Sequence, residues 1–381
     1  MSTRKRRNAR SARVLNSAEI QVLETKSLPT GTVTVSLSGS GDLYIRGDNN
    51  PNELEVQVFG GQLSVTGLNN TLIKLGNAAP AANISVPVPA VLRDVKIDLR
   101  GGDDVLSLTS VDALDVERNL DINTGSGNDE VEIFAENTLS VGRNAWIYTE
   151  GGNDIVSLNT LAGGSFVIGR DAEIKTGSGE DAVALVDRDR FSGVTNTADL
   201  LAVPNNTATA GAQSIRAGRD LKISTQGDND KIAVLGAEAG RDFSILSGFG
   251  RGDVLGVSNL RAGRDLTLND GDENVLQNVT VVRTLSINSG NGNDRFAIDR
   301  VNVRNLNIQL GSGNDQLSLG ANVTVTSQAK INGNGGQNKY LKSGTALAGA
   351  KIKNMRGVLT LAESNDILDD AVASLVNSGL I

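Results

Sequence analysis

The stretch Thr124–Gly125–Ser126–Gly127–Asn128–Asp129–Glu130–Val131–Glu132–Ile133 decides how the chain is read. Three small residues and an Asn lead to one acid, and apolar and polar residues then alternate. The same sequence recurs. Segments ending in Asp before an alternating run place Asp104, Asp129, Asp154, Asp181, Asp230, Asp253, Asp294 and Asp315 in one series, with Asn274 and Asn338 in degenerate copies. Their spacings run from 20 to 27 residues, with one of 49 between Asp181 and Asp230 that equals about two periods. A second marker keeps the same beat: ERNLDI (117–122), GRNAWI (142–147), GRDAEI (169–174), GRDLKI (218–223), GRDFSI (240–245) and GRDLTL (263–268) each precede a Gly-rich turn. Two independent markers in one register identify an internal repeat.

Each unit reads as short strands of Val, Ile, Leu and Thr with period-two alternation, and no amphipathic helix separates them. A three-strand repeat of this length is one coil of a parallel β-helix. We therefore expect an all-β, single-stranded parallel solenoid of about ten to twelve coils, right-handed because right-handed crossovers dominate parallel sheets. One coil cannot bury enough aliphatic surface to offset its ordering entropy, so stability must come from stacking.

Composition narrows the chemistry. The chain has 381 residues with no Cys and no His, which removes disulfides, thiolate chemistry and the commonest general base. The net charge is −8, and the six cations among residues 1–13 leave −14 for the remainder. An acidic body argues against nucleic acid as a partner. No run of 18 apolar residues is present, so no transmembrane segment is expected. Residues 1–30 read as a basic tail or sorting segment, 31–94 as irregular N-terminal coils disturbed by Pro80, Pro87 and Pro89, and 95–360 as the repeats. Residues 188–212 fit a lateral loop, with a degenerate coil as the alternative. Residues 361–381 form the C-terminal cap, a helix over 365–377 with Ser364 as N-cap and Gly379 as stop, covering the last coil.

Two resemblances follow from these residues. Leu23–Pro29 (LETKSLP) resembles the LEPR-XLL-type segment found behind a basic tip in large bacterial surface proteins, through Leu23, Glu24 and Leu28. It implies export, and an extracellular or cell-surface location. The turns resemble the hemolysin-type (RTX) calcium-binding nonapeptide, matched by Gly125, Gly127, Asp129 and Val131, by Gly290, Gly292, Asp294 and Phe296, and by Gly311, Gly313, Asp315 and Leu317. The resemblance implies calcium between adjacent turns, held by carbonyls and by Asp104, Asp129, Asp154, Asp181, Asp230, Asp294 and Asp315. The first Gly of that motif is Thr124, Thr176, Ser289 or Leu310 here, and the turns recur once per coil. The alternative is a structural turn in which Asn–Asp caps backbone N–H groups and Asn128, Asn153, Asn293 and Asn314 form an amide ladder. Stacked carboxylates at the strand spacing would repel, so the column wants a counter-ion unless the acids splay into solvent.

Other features are weighed against simple surface or core roles. The Gly-Arg-Asp corners read as salt-bridged surface. The two RGD triplets lie in repeat turns, and DRDR (187–190) is the one charge cluster near-off the repeat beat. Trp146 and Tyr148 alternate on one strand and share a face; they read as core fillers, with a small sugar-stacking patch as the alternative. In function the chain reads as a non-catalytic exported or surface-attached solenoid, adhesin-like, with cell-surface polysaccharide or other surface proteins as partners and calcium as the one cofactor in view. A parallel β-helix polysaccharide lyase or glycosidase is the alternative.

Overall fold

The computed structural model describes residues 31–381 except 89–90, 162, 206, 208, 249, 251, 270–271, 344–346 and 348. The basic tail and the Leu23–Pro29 segment lie outside the described residues. From there on the chain winds into a β-solenoid of about 11 turns. Strands stack in three columns, in register except for shifts at Val281/Thr284, Val303/Asn305 and Asn338/Lys339. Glu130–Ala135 pairs in parallel with Val105–Ser110 on one side and Ile155–Thr160 on the other. Leu120–Asn123, Ala145–Tyr148 and Ala172–Lys175 make the second column, and Thr138–Val141 and Ser165–Ile168 belong to the third. The period-two pattern sets which side chains turn inward: Val131 and Ile133 are core, and Glu130 and Glu132 face out. The inward aliphatics of successive coils form one continuous core. Each fully buried Val, Leu or Ile contributes about 1.5–3 kcal/mol, which no isolated coil could collect from its neighbours.

The N-terminal end departs from pure parallel winding. Thr32–Leu37 pairs antiparallel with Leu43–Arg46, and Gln62–Gly67 pairs antiparallel with both Glu53–Phe59 and Asn83–Pro87. Glu53–Phe59 then stacks in parallel on Val105–Ser110, so the hairpins are built onto the first regular coil.

Among the described residues the 49-residue interval contains no additional coil. Ala182–Asp187 pairs directly with Lys231–Leu235, and Ser165–Ile168 with Ile215–Ala217. Between them the chain makes a lateral excursion with two short helices. Helix α1 (Arg188–Phe191) is capped by the Asp187 side chain on the Arg190 N–H, and α2 (Thr197–Ala202) by Asn196 on the Asp199 N–H.

Helix α3 (Leu361–Asn377) differs from expectation in its start and its place. Its N-cap is Thr360, in a capping box with Glu363, and Ser364 lies inside the helix. The capping box satisfies two orphan N–H groups reciprocally, which Ser364 could not match. Nor does α3 cover the last coil, where Val358 stays 76% exposed. It lies across the outer face of the stack, against Lys231–Leu235, Val254–Ala262, Glu273–Asn288 and Arg295–Gln309, and meets α2. Ala371, Val372 and Leu375 pack there on Val186, Leu235 and Val275, together with Phe191 and Leu200 of the excursion, to make a second core. The physical reason is sequence-encoded. Strands such as Ala182–Asp187 and Lys231–Leu235 carry small apolar residues on their outward face too, and those need a cover. Lys339–Glu363 at 2.8 Å and Arg295–Asp370 at 2.9 Å pin the helix at its rim.

Candidate functional site: the acidic column

The eight repeat acids stand in one column and are enclosed by it. Asp104, Asp129, Asp154, Asp181, Asp230, Asp253, Asp294 and Asp315 are each no more than 2% exposed. They do not splay into solvent. In every one of them except Asp294, one carboxylate oxygen reaches back one coil and accepts the N–H of the equivalent residue. Asp129 accepts from Asp104 at 2.8 Å, Asp154 from Asp129 at 2.9 Å, and Asp181 from Asp154 at 3.0 Å. Asp230 accepts from Asp181 and Asp253 from Asp230, each at 2.9 Å, and Asp315 from Asp294 at 3.2 Å. The column runs on into neutral amides. Asn52 donates its N–H to Asp104 at 2.7 Å, and Asn338 accepts from the Asp315 N–H at 2.8 Å. One rung is irregular: the Asp253 N–H is met at 3.2 Å by Asp272, so Asn274 does not take the capping role that its slot suggests.

The second carboxylate oxygen depends on a residue about five positions earlier. Thr149 donates its hydroxyl to Asp154 at 2.6 Å, Thr176 to Asp181 at 2.5 Å, and Ser247 to Asp253 at 3.0 Å. Thr176 and Ser289 are among the residues that break the RTX motif at its first Gly; at Thr176 the departure supplies a donor that the acid uses. The outer oxygens of Asp104, Asp129, Asp230 and Asp315, and both oxygens of Asp294, are buried without a well-formed hydrogen bond, although the hydroxyls of Thr124, Thr225 and Ser289 stand near enough to Asp129, Asp230 and Asp294 to lower them against burial. Burial therefore dominates the electrostatics. It pushes Asp104, Asp230 and Asp294 up to about 7 and Asp129, Asp154 and Asp315 up to about 6. Neighbouring carboxylates add to the rise at Asp104, Asp129 and Asp294, and Asp181 and Asp253 are raised by burial as well.

At Asn128, Asn153, Asn293 and Asn314 the Asn before the acid grips the opposite way. Asn128 accepts the Asn153 N–H at 2.8 Å, Asn153 the Glu180 N–H at 2.9 Å, and Asn293 and Asn314 accept from the next coil at 2.8 Å each. Asn reaches forward and Asp reaches back, so a turn with both grips is tied to both neighbours. The glycines serve the same approach. Gly127 has φ +142°, and a Cβ there would lie 2.0 Å from the Gly102 carbonyl oxygen.

Whether this donor set suits calcium can be tested on its oxygens. Calcium needs six to eight of them at one point. The turn carbonyls of Ser126, Gly151, Ser178 and Ser312 already accept N–H groups of Gly102, Gly127, Gly152 and Gly292. Except at Asp294, the inner carboxylate oxygens are engaged on backbone N–H groups. Among the described residues no three acidic side chains converge as a set that could hold a metal. Asp294 comes nearest, with two oxygens that lack a well-formed hydrogen bond and Asp272 beside it. Most of the column does not fit the ion.

The remaining candidates resolve locally. Most of the corner arginines pair with the acid one coil back, such as Arg118–Asp94 at 3.1 Å and Arg241–Asp220 at 3.5 Å. Pairs this exposed are worth about 0–1 kcal/mol each. In the first RGD triplet Asp48 accepts the N–H groups of Thr32 and Asn50. In the second, Asp253 belongs to the buried column and Arg251 lies outside the described residues. Asp187 and Arg190 of the DRDR segment cap and pair within α1. Trp146 and Tyr148 are not core: Ala145 and Ile147 turn inward on that strand, and the two aromatics turn out. The aromatic content of a coil is decided by strand parity, and here parity places the large rings outside. Among the described residues no helix is long and apolar enough to cross a membrane. Comparison with protein-family models, with curated proteins and with solved structures gives no match.

Proposed function

We propose that this chain is a non-catalytic structural solenoid, a stiff spacer roughly 50 Å long at one strand spacing per turn, displayed outside the cell in an adhesin-like role. One observation supports this above the others. The eight acids that the repeat places in its turns are buried, and seven of them accept an N–H of the adjacent coil. An enzyme of the lyase or glycosidase type needs acids open to substrate in a groove. Export and surface attachment are supported by the basic tip and the Leu23–Pro29 segment.

Protease treatment of intact cells that make the protein tests this placement. Cleavage from outside, with no release of reducing ends when the purified chain meets polysaccharides, is the expected result. Protection in intact cells, or sugar release, would overturn it. A second reading attaches to one turn. Asp294 has both oxygens without a well-formed hydrogen bond beside Asp272, which favours a calcium ion there. It predicts a melting midpoint that rises with free calcium and ceases to do so in Asp294→Asn.

A further inference from the structure

The outward face of Ala145–Tyr148 is used by nothing described so far. Trp146 and Tyr148 stand on it two residues apart, roughly 7 Å along the strand. In register, Trp146 is flanked by Asp121 and Glu173, and Tyr148 by Asn123 and Lys175. A groove of about 560 Å³ opens beside Tyr148, with Asn123, Glu150, Glu173, Lys175 and Gln226 on its walls.

Its polar groups are held in place before any ligand arrives. Tyr148 Oη donates to Glu173 Oε2 at 3.0 Å, Lys222 Nζ to Glu173 Oε1 at 2.8 Å, and Asn123 Nδ2 to Glu150 Oε1 at 3.1 Å. Asn123 Oδ1 is covered and has no hydrogen-bond partner. Burial works to raise the Glu173 carboxyl, but Lys222 and Tyr148 outweigh it and hold the group below its ordinary value. Two wall residues also sit in a backbone conformation that suits glycine. Glu150 and Gln226 both have φ +64°, at the position that Gly125 and Gly177 fill in adjacent coils. Arg100 shares it at the start of the column. Side chains persist at strained positions where the surroundings or a function require them.

We propose that this face is a binding site for a neutral oligosaccharide, with sugar rings laid on Trp146 and Tyr148 and hydroxyls held by Glu173, Lys175 and Asn123. Aromatic rings offer broad apolar faces to the C–H side of a pyranose. Carboxylates accept from sugar hydroxyls, while ammonium and amide groups donate to them. Glu150 and Glu173 stand against Lys175 and Lys222, so the groove favours no strongly charged polymer of either sign. This goes beyond the spacer role and does not depend on it.

The chain has a single Trp, so its fluorescence reports on this face alone. The full chain is titrated with cellohexaose, laminarihexaose and maltohexaose, with polygalacturonate as the anionic comparator. At least one neutral hexasaccharide is expected to give a saturable blue shift at millimolar concentration or below, and polygalacturonate none. Tyr148→Ala and Glu150→Gly are each expected to weaken binding at least tenfold. Glu150→Gly should at the same time raise the melting midpoint, because glycine relieves the positive φ, so weaker binding in that variant is not a folding defect. No saturable shift with any neutral probe would overturn the proposal. So would equal or tighter binding of polygalacturonate, or unchanged affinity in both variants.

Discussion

Asp129 and Asp154 differ by one hydroxyl contact. Thr149 donates to the outer oxygen of Asp154 at 2.6 Å, whereas the Thr124 hydroxyl stands beside Asp129 and lowers its carboxyl against burial without forming a well-aligned hydrogen bond. The difference gives opposite expectations for small substitutions. Thr149→Val removes a hydrogen bond to a buried acid and should lower stability by about 1–3 kcal/mol in denaturant titration. Asp129→Asn keeps the oxygen that accepts the Asp104 N–H, removes a buried charge and offers an NH₂ group towards Thr124. Its denaturation midpoint should equal or exceed wild type near neutral pH, and a loss of more than about 1 kcal/mol would contradict the geometry. Gly127→Ala meets both a positive φ and the Gly102 carbonyl, and should be among the most damaging single changes, at about 3 kcal/mol or more. The acids and glycines were legible in the sequence as a series. The role of Thr149 and Thr176 was not, although both stand five residues before their Asp, because that spacing acquires meaning only when the turn folds back on itself. Parity misled in the same way at Trp146: alternation shows that two rings share a face, and the inward face is identified only by the smaller neighbours Ala145 and Ile147.

At the scale of elements, stacking and register were readable because a period of two and a beat of 20–27 residues leave few architectures open. The position of α3 was not. A helix at the end of a solenoid has an obvious task in covering the terminal strands, yet this one runs back along the side. The signal for it lies far away in sequence, in outward Ala184, Val186, Ala233 and Leu235, where strands lose their polar alternation. Gly256 belongs to the same arrangement, since a Cβ there would lie 2.3 Å from Leu375 Cδ1. Leu375→Asp should therefore free α3 and expose the excursion. The strand signal in circular dichroism should persist, while limited proteolysis cuts first within 188–212 and 361–381. Cleavage throughout the coils at an equal rate would show instead that α3 holds the whole stack.

For the whole molecule, the column couples stability to protons. Six acids titrate at about 6 to 7 in the folded chain against 3.8 when unfolded. The folded state thus binds more protons, and the stability they contribute is present at low pH and lost as pH rises through 6 to 7. Asp42 and Asp242 act in the other direction: both are held below 3.8 with Arg93 and Arg264 as partners, and their contribution is lost only in stronger acid. The rod should be most stable at about pH 4 and lose stability progressively from there to about pH 7. Calcium was legible only as a motif, and the motif does not show where the oxygens point. Thermal melting of the full chain in chelator, at about pH 5 and about pH 8, tests the buried column most directly. A higher midpoint at the lower pH is the expected result, with the difference reduced in Asp129→Asn. A midpoint that is lower at pH 5 would mean that the acids are ionised and exposed, and would contradict the enclosed ladder.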